Sequence, residues 1–340
     1  EEACPGHLKE ELTDVQKTFR AYLLSFSIGK INLNQICFFD LVPSDFLLRF
    51  CEVRNKITEH VFDTYAKPRN YDHLDNVYKL LHKIKYQKLN INVDGCRNLM
   101  TTTSDREAIK NLVKNRSHYV DYNLFGTVTG RLTTTKASHP VLTMKSKFRS
   151  LIKPTNDWFV SLDYNGAEVR TFLSLSGQEQ PQEDIHEWNM RHLYGGKPVV
   201  DREEAKVLFF SSLYNPRDSS LDGSVYDRSK VMEKYFYRKV IQTPMGRDII
   251  VEERKALNYL IQSTTADLTL DRAVAIDKML EGKKSKIALI VHDEIVLDID
   301  DEEKELVPGL KEAFSNTKMG QYMVNIKAGK NCFDLKRLKL

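Results

Sequence analysis

The sequence predicts a mixed α/β (α+β) protein, with a helical first third followed by a body that combines strands and helices. Residues 8–120 are highly charged, and stretches such as DHLDNVYKLLHKIKYQKL (72–89) place their apolar residues at helical spacing. Beyond residue 125, apolar runs such as WFVSLDY (158–164) and IALIVHDE (287–294) have the residue pattern of β-strands and alternate with helical segments. The mixed body is therefore predicted to begin near Gly126.

Length and composition are typical of a soluble globular protein. The 340 residues are enough for two to three domains, and 41% of them are hydrophobic while 29% are charged. The sequence has no run of about 18 apolar residues and does not open on a signal-like apolar segment, which predicts an intracellular protein without a membrane span. The five cysteines are not at metal-ligand spacing, and the net charge of +4 permits a polyanionic partner without requiring one.

An acidic turn interrupts the apolar run ALIVHDEIVLDID at 288–300. Alternation of apolar and polar residues predicts an antiparallel hairpin whose turn is His292, Asp293 and Glu294. This turn lacks the Gly, Asn or Pro residues that tight turns favour. A solvated turn that carries charge is one interpretation, and an acidic functional site with a partner elsewhere in the chain is the other.

A second acid stands at the end of an apolar strand in WFVSLDYNGAEVRTFLSLSG (158–177). The strand is predicted to end at Asp163, and a helix follows Gly166 with Glu168 in its first turn. Asp163 and Asp293 together are the kind of carboxylate pair that holds two Mg²⁺ ions, which lie roughly 3.5–4 Å apart in two-metal sites. Either acid alone would be weak evidence for such a site.

Two cations and two aromatic residues recur at four-residue spacing in DREEAKVLFFSSLYN (201–215). On a helix, Arg202, Lys206, Phe210 and Tyr214 form one slowly drifting stripe. Arg and Lys can neutralise phosphates while rings stack on sugar and base, so the stripe suits a nucleoside triphosphate. The alternative is an ordinary amphipathic helix with its rings in the core.

A third stripe, in ERKALNYLIQSTTAD (253–267), contains Arg254, Asn258 and Gln262 at the same spacing. Three long hydrogen-bond donors on one helical face can contact a nucleic-acid groove. A polar helix face in contact with water is the alternative.

Two further segments allow structural interpretations. SDRE at 104–107 has the pattern of a capping box, with Ser104 as the helix cap and Glu107 at the third helical position. The basic stretch KSKFRSLIK (145–153) can contact a phosphate backbone or can be a solvated charged surface.

The order and spacing of five motifs resemble those of the family A DNA polymerases, the DNA polymerase I type. The motifs are GTVTGRLTTT (126–135), LDYNGAEVR (162–170) as motif A, R-x3-K-x3-F-x3-Y (202–214) as motif B, TPMGRDIIVEER (243–254) and VHDE (291–294) as motif C. The resemblance covers residues 115–335.

The resemblance implies a right-hand polymerase with an antiparallel palm sheet, helical fingers and a helical thumb. The domain boundaries that follow are 1–125 for the N-terminal helical region and thumb, 126–184 for the first part of the palm, 185–265 for small fingers, and 266–340 for the second part of the palm.

The implied activity is template-directed DNA synthesis, in which the primer 3′-hydroxyl attacks the α-phosphate of a deoxynucleoside triphosphate and pyrophosphate leaves. Asp163, Asp293 and the carbonyl of Tyr164 would hold two Mg²⁺ ions, with Mn²⁺ as a substitute. Glu294 would be a secondary acid, and Lys206 the proton donor to pyrophosphate.

Substrate contacts are implied by the same motifs. The residues that match the family's triphosphate- and nucleoside-binding residues are Arg202, Lys206, Phe210, Tyr214, His186 and Glu168. The residues that match its primer-template-binding residues are Arg131, Arg254, Asn258, Gln262 and His292. In the family, the acid matching Glu168 packs with the tyrosine matching Tyr214 and excludes a ribose 2′-hydroxyl, which favours deoxynucleotides.

The chain departs from the family pattern at several positions. Asn165 and Gly166 replace the usual Ser and Gln, which predicts a looser start of the motif A helix. The N-terminal 125 residues are too short for both a thumb and a 3′→5′ exonuclease, which leaves a separate nuclease, helicase or processivity factor as expected partners. A weakly catalytic accessory protein that binds primer-template DNA, and an RNA-synthesising relative, are the alternative functions.

Overall fold

The computed structural model describes residues 3–115, 118–194, 201–215, 218, 220, 221 and 224–339. Its helices are α1 (Lys9–Ile28), α2 (Ser44–Thr64), α3 (Tyr71–Lys85), α4 (Thr103–Asn115), α5 (Ala167–Leu175), α6 (Ile185–Tyr194), α7 (Arg202–Tyr214), α8 (Arg228–Tyr235), α9 (Glu253–Met279) and α10 (Val307–Ser315). Its strands are β1 (Asn90–Ile91), β2 (Tyr122–Asn123), β3 (Thr133–Thr134), β4 (Ile152–Lys153), β5 (Trp158–Tyr164), β6 (Phe236–Tyr237), β7 (Val240–Gln242), β8 (Asp248–Ile250), β9 (Lys286–Val291), β10 (Glu294–Ile299), β11 (Asn316–Thr317), β12 (Gly320–Gln321), β13 (Val324–Gly329) and β14 (Lys336–Arg337). Within the described ranges, no helix is both long and apolar enough to cross a bilayer.

The chain forms two compact units, residues 1–71 and residues 72–340. In the first unit, α1 and α2 pack around a small apolar core that includes Val15 and Val53. Stacking of Phe19 on Phe50, with ring centroids 5.3 Å apart, extends this contact. The predicted helical character of this region is confirmed, and its assignment as part of a thumb stays a prediction.

The second unit is built on a five-stranded antiparallel sheet with the order β14-β13-β5-β10-β9. Strand β5 lies at its centre, which explains the nearly continuous apolar run of its sequence. The register places Asp163 of β5 opposite Glu294 of β10 on one side and opposite Asn325 of β13 on the other. The predicted α/β class and antiparallel sheet are confirmed.

The hairpin β9–β10 has a shorter turn than the sequence predicted. Only His292 and Asp293 form the turn, and His292 adopts a left-handed backbone with φ of 59°. Glu294 is the first residue of β10, where it pairs with Val291 and Asp163, so its assignment to the turn was wrong. Strand β5 also continues beyond its predicted end, because the pairing with β13 extends to Tyr164.

Helix α9 joins two apolar cores. Its first half, including Leu260 and Ile261, packs with α5, α7 and α8, whereas its second half, including Leu268 and Leu270, packs under the sheet. The change from one core to the other falls between Ile261 and Leu268. The boundaries of palm, fingers and thumb stay predictions.

The cap of α4 differs from the predicted SDRE box. The helix begins at Thr103, and Thr102 and Asp105 cap it by reciprocal backbone–side-chain hydrogen bonds of 3.2 Å each. Asp105 is buried, and it also accepts hydrogen bonds from Lys145 at 3.0 Å and Lys147 at 2.7 Å. Part of the basic stretch 145–153 therefore serves to hold this helix in place.

Candidate active site

A cavity of about 320 Å³ opens at the end of the central sheet. Ten of the residues that the sequence predicted for the site line it, namely Arg131, Asp163, Tyr164, Glu168, His186, Arg202, Lys206, Phe210, His292 and Asp293. They come from the turn before β3, the β5–α5 junction, α6, α7 and the β9–β10 turn. The cavity therefore brings four of the five sequence motifs to one place.

The two predicted metal-binding aspartates lie together in this cavity. Burial, together with the negative charges of Asp293 and Glu294, raises the pKa of Asp163 to about 7. Burial also raises the pKa of Asp293, and the charge of Glu168 adds to the effect. Two partly buried carboxylates therefore lack enough positive charge around them when both are ionised.

This donor set fits a hard divalent cation. Mg²⁺ prefers carboxylate and carbonyl oxygens and retains positions for water and substrate phosphate oxygens. Among the described residues there is no group of three or more His, Cys, Asp and Glu side chains that could hold a metal ion. With two aspartates as ligands, the other coordination positions of a Mg²⁺ ion would be filled by water and by phosphate oxygens of a substrate.

Tyr164 and Glu294 contribute in different ways. The hydroxyl of Tyr164 donates to the carbonyl of Phe314 at 2.8 Å, and the two rings stack 4.2 Å apart. The side chain of Tyr164 is thus committed to the core, so only its main chain remains for the predicted carbonyl ligand. Glu294 accepts a 2.5 Å hydrogen bond from Ser161, which holds this acid against β5.

Positively charged side chains of α7 line the same cavity as the acids. Arg202 and Lys206 line it one helical turn apart, and Lys206 has no ion-pair partner among the residues that the structure describes. Beside them, burial and the charge of Arg202 lower the pKa of His186 to about 4, so this imidazole is neutral at pH 7. The buried Nδ1 of His186 also has no hydrogen-bond partner within the described residues. These groups suit a polyanionic ligand.

Glu168, the second acid of motif A, connects α5 with α7 and with the turn before β3. Glu168 accepts a hydrogen bond from the hydroxyl of Tyr214 at 2.6 Å and another from Arg131 at 2.5 Å. Burial and the charge of Glu168 raise the pKa of Tyr214, so its hydroxyl stays protonated as a donor. The predicted contact between Glu168 and Tyr214 is present, and Phe210 stacks beside Tyr214 with ring centroids 6.0 Å apart.

The residues predicted to contact primer-template DNA fall into two groups. Arg131 and His292 line the first cavity, and burial followed by the charge of Arg131 lowers the pKa of His292. Arg254 and Asn258 line a second cavity of about 700 Å³ at the start of α9. Gln262 is half-buried farther along α9 and lines neither of these cavities.

The expectation of a loose helix start at Asn165 and Gly166 was wrong. Asn165 is buried and its amide oxygen accepts hydrogen bonds from the backbone of Ile185 at 2.8 Å and from Arg170 at 3.2 Å. Gly166 has φ of 65°, and a Cβ there would lie 2.4 Å from Ile185 Cγ2. The two residues therefore fix the start of α5 against α6.

Three contributors escaped prediction from the sequence. Asn325 lines the cavity opposite Asp163, and its hydrogen bond contributes to lowering the pKa of that acid against the larger effect of burial. Asp184 binds Arg202, and buried Asp267 binds Arg247. These residues stand outside recognisable spacing patterns, although DIH at 184–186 placed Asp184 beside a predicted residue.

Comparisons with known proteins agree with this fold. The family model described as DNA polymerase family A matches residues 227–332. DNA polymerase I of Chloroflexus aurantiacus is 27% identical over 252 residues, which are 58% of this chain and 27% of that protein. The thermostable DNA polymerase I of Thermus thermophilus is 28% identical over 259 residues, which are 61% of this chain and 31% of that protein.

The fold has a counterpart among solved structures. The POL domain of Pol1 from M. smegmatis, solved in complex with DNA primer-template and dNTP, matches with a TM-score of 0.64 and 14% identity. The match covers 84% of this chain and 74% of that chain, which confirms the predicted polymerase fold. The chain thus has the fold of a polymerase domain. Over residues 227–332 it is similar to the family A DNA polymerases, and its matches span less than a third of the length of the two curated relatives.

Proposed function

We propose that the chain is a template-directed DNA polymerase that adds deoxynucleotides to a primer 3′-hydroxyl by two-metal-ion phosphoryl transfer. The observation that carries the proposal is that one cavity is lined by Asp163 and Asp293 and also by Arg202, Lys206 and His186. Acids and cations in one cavity suit a triphosphate whose α-phosphate lies near the acids. Relatives named DNA polymerase I support the same activity.

In this proposal Asp163, Asp293 and the main chain of Tyr164 hold the metal ions. When bound, two Mg²⁺ ions lower the pKa of the primer hydroxyl and neutralise charge that develops on the phosphates. The raised pKa values of both aspartates support cation binding, because a cation relieves the repulsion between buried carboxylates.

The triphosphate is bound by Arg202, Lys206 and His186. Arg202 offers a planar fork of donors, and Lys206 is positioned to protonate the leaving pyrophosphate. Neutral His186 can donate one hydrogen bond to a phosphate oxygen without adding charge. Phe210 packs against the sugar and base of the incoming nucleotide.

The sugar and the primer end contact the opposite wall. The hydrogen-bonded pair of Glu168 and Tyr214 closes the space in which a ribose 2′-hydroxyl would lie, which favours deoxynucleotides over ribonucleotides. His292 and Arg131 support the primer terminus, while Arg254, Asn258 and Gln262 contact the template side. The Glu168–Tyr214 pair counts against the RNA-synthesising alternative.

Primer extension tests the proposal. A labelled primer on a DNA template, with Mg²⁺ and four deoxynucleotides, is extended by the wild-type protein and not by Asp293→Asn, while both proteins bind the duplex equally. Failure of both proteins to extend a bound duplex would contradict the proposal and favour the accessory-protein alternative. Equal extension by both would show that Asp293 is not a metal ligand.

A further inference from the structure

Two acids hold the guanidinium of Arg202 from different sides. Asp184 accepts from Nε at 3.2 Å and from Nη2 at 2.9 Å, which is a bidentate contact. Glu203 accepts from Nη1 at 2.5 Å. Carboxylates therefore contact all three nitrogens of the Arg202 guanidinium in the cavity, where the proposed function requires this residue to contact phosphate.

The two acids have different surroundings. The side chain of Asp184 is 22% exposed, and its Oδ1 also accepts from the backbone nitrogens of His186 at 3.0 Å and Glu187 at 3.1 Å. The side chain of Glu203 is 70% exposed, and among the described residues its partner is Arg202. A single exposed ion pair is weak and easily exchanged, whereas a carboxylate that caps a helix is held in place.

A buried network extends from Asp184 to the strand that bears Asp163. The side-chain amide nitrogen of Asn165 donates to Asp184 Oδ2 at 2.7 Å. The main-chain carbonyl of Asn165 accepts from Arg170 Nε at 2.7 Å. Arg170 has no exposed surface and also donates to the carbonyls of Pro181 and Glu183. Asp184 is thus fixed by the β5–α5 turn as well as by α6.

We propose that Asp184 is a positioning residue that keeps Arg202 directed at the triphosphate, whereas Glu203 occupies the remaining edge of the guanidinium until the triphosphate displaces it. The inference deepens the proposed function and rests on it. Arg202 has five donors, so the two that contact Asp184 can persist while Nη1 exchanges Glu203 for a phosphate oxygen. Asp184 thereby orients the guanidinium, and Glu203 competes with the substrate.

Opposite effects on nucleotide binding distinguish this inference from a general electrostatic effect. Removing any negative charge near the site strengthens the binding of a polyanion through the field alone. We expect Glu203→Gln to lower the Kd and KM for dATP about two- to fourfold. We expect Asp184→Asn to raise both about tenfold or more, since Arg202 loses a charge-assisted bidentate partner.

Matched variants separate positioning from folding. Asn at position 184 keeps an oxygen for the helix cap, so the thermal midpoint reports whether α6 remains intact. Glu187→Gln removes an equal charge from the first turn of α6, where the exposed Glu187 side chain is not a partner of Arg202, and therefore measures the field effect alone. In an Arg202→Ala background, Asp184→Asn should no longer raise the Kd for dATP.

The measurement is equilibrium binding of dATP with Mg²⁺ to the protein on a primer that lacks its 3′-hydroxyl, alongside steady-state extension. Loosened binding in Asp184→Asn and tightened binding in Glu203→Gln support the inference. The inference is overturned if both variants shift the Kd for dATP in the same direction. It is also overturned if Asp184→Asn raises this Kd as much in the Arg202→Ala background as in the wild type. Neither result contradicts the polymerase activity of the wild type. A wild-type protein that neither extends primers nor binds dATP overturns both proposals.

Discussion

The hydroxyl of Tyr214 donates a 2.6 Å hydrogen bond to Glu168, across 46 residues of sequence. Arg131 binds the other oxygen of the same carboxylate at 2.5 Å. A side chain held from two sides has little freedom to move, so in the proposed polymerase Glu168 would present a fixed wall to the sugar of an incoming nucleotide. The rigidity of this wall is the basis for sugar selection in the proposed polymerase.

Glu168→Ala should therefore weaken the preference for deoxynucleotides. We expect the ratio of kcat/KM for dATP over that for ATP to fall about 10- to 100-fold, because space opens for the 2′-hydroxyl. Tyr214→Phe removes one hydrogen bond and keeps the ring, so it should give a smaller fall. A wild-type ratio in Glu168→Ala would place the sugar elsewhere in the cavity.

Phe210 should control the use of dideoxynucleotides. Phe210 lines the cavity and stacks beside Tyr214, and its ring offers no hydroxyl to replace the missing 3′-hydroxyl of a chain terminator. Phe210→Tyr should accept terminators at least about tenfold better, as measured by competition between dideoxy and deoxy substrates in primer extension. Phe209→Tyr, at the buried neighbouring position, is the control and should not gain this ability. Unchanged discrimination in Phe210→Tyr would contradict the position assigned to α7.

Local patterns predicted most of the site, and long-range pairing determined the rest. The acids at strand ends and the Arg202–Phe210 stripe were predicted because strand and helix periodicities are visible within a few residues. Asn325 was missed because its place opposite Asp163 depends on the pairing of strands in which these two residues are 162 positions apart in sequence. Asp184 was missed as a partner of Arg202 because helix spacing does not show which loop meets a helix end.

The pH dependence of stability should show the raised pKa of Asp163 in metal-free protein. Between its ordinary value of 3.8 and about 7, the folded state keeps a proton that the unfolded state has released. The free energy of unfolding therefore falls as pH rises through this window. Asp163→Asn removes the effect and should be more stable than wild type at pH 8 by on the order of 2 kcal/mol, after allowance for partial exposure.

Urea unfolding in a chelator at pH 5 and pH 8 measures this difference. Asp301→Asn is the matched control, since Asp301 is an exposed partner of Lys304 and its loss should not stabilise the protein. Added Mg²⁺ should stabilise wild type at pH 8 more than Asp163→Asn. An Asp163→Asn protein that is less stable than wild type at pH 8 without metal would show that the ionised carboxylate of Asp163 does not destabilise the folded state.

The buried pair of Arg247 and Asp267 should be a major support of the turn that carries Arg131. Arg247 donates from Nε at 3.0 Å and from Nη2 at 2.7 Å to Asp267, which has no exposed surface. The guanidinium lies so close to Gly130 that a Cβ there would be 2.5 Å from Arg247 Nη2. Asp267→Asn leaves a largely buried guanidinium, 13% exposed, without its counter-charge and should cost about 3 kcal/mol of unfolding free energy.

Asp277→Asn, on the same helix, is the matched control for that loss. Asp277 pairs with the exposed Lys83 at 2.6 Å, so its removal should change the unfolding free energy by about 1 kcal/mol or less. Urea unfolding compares the two variants, and Gly130→Ala should resemble Asp267→Asn because its φ of 76° and the nearby guanidinium both oppose a side chain. Equal, small losses in all three variants would mean that the turn does not depend on this buried pair.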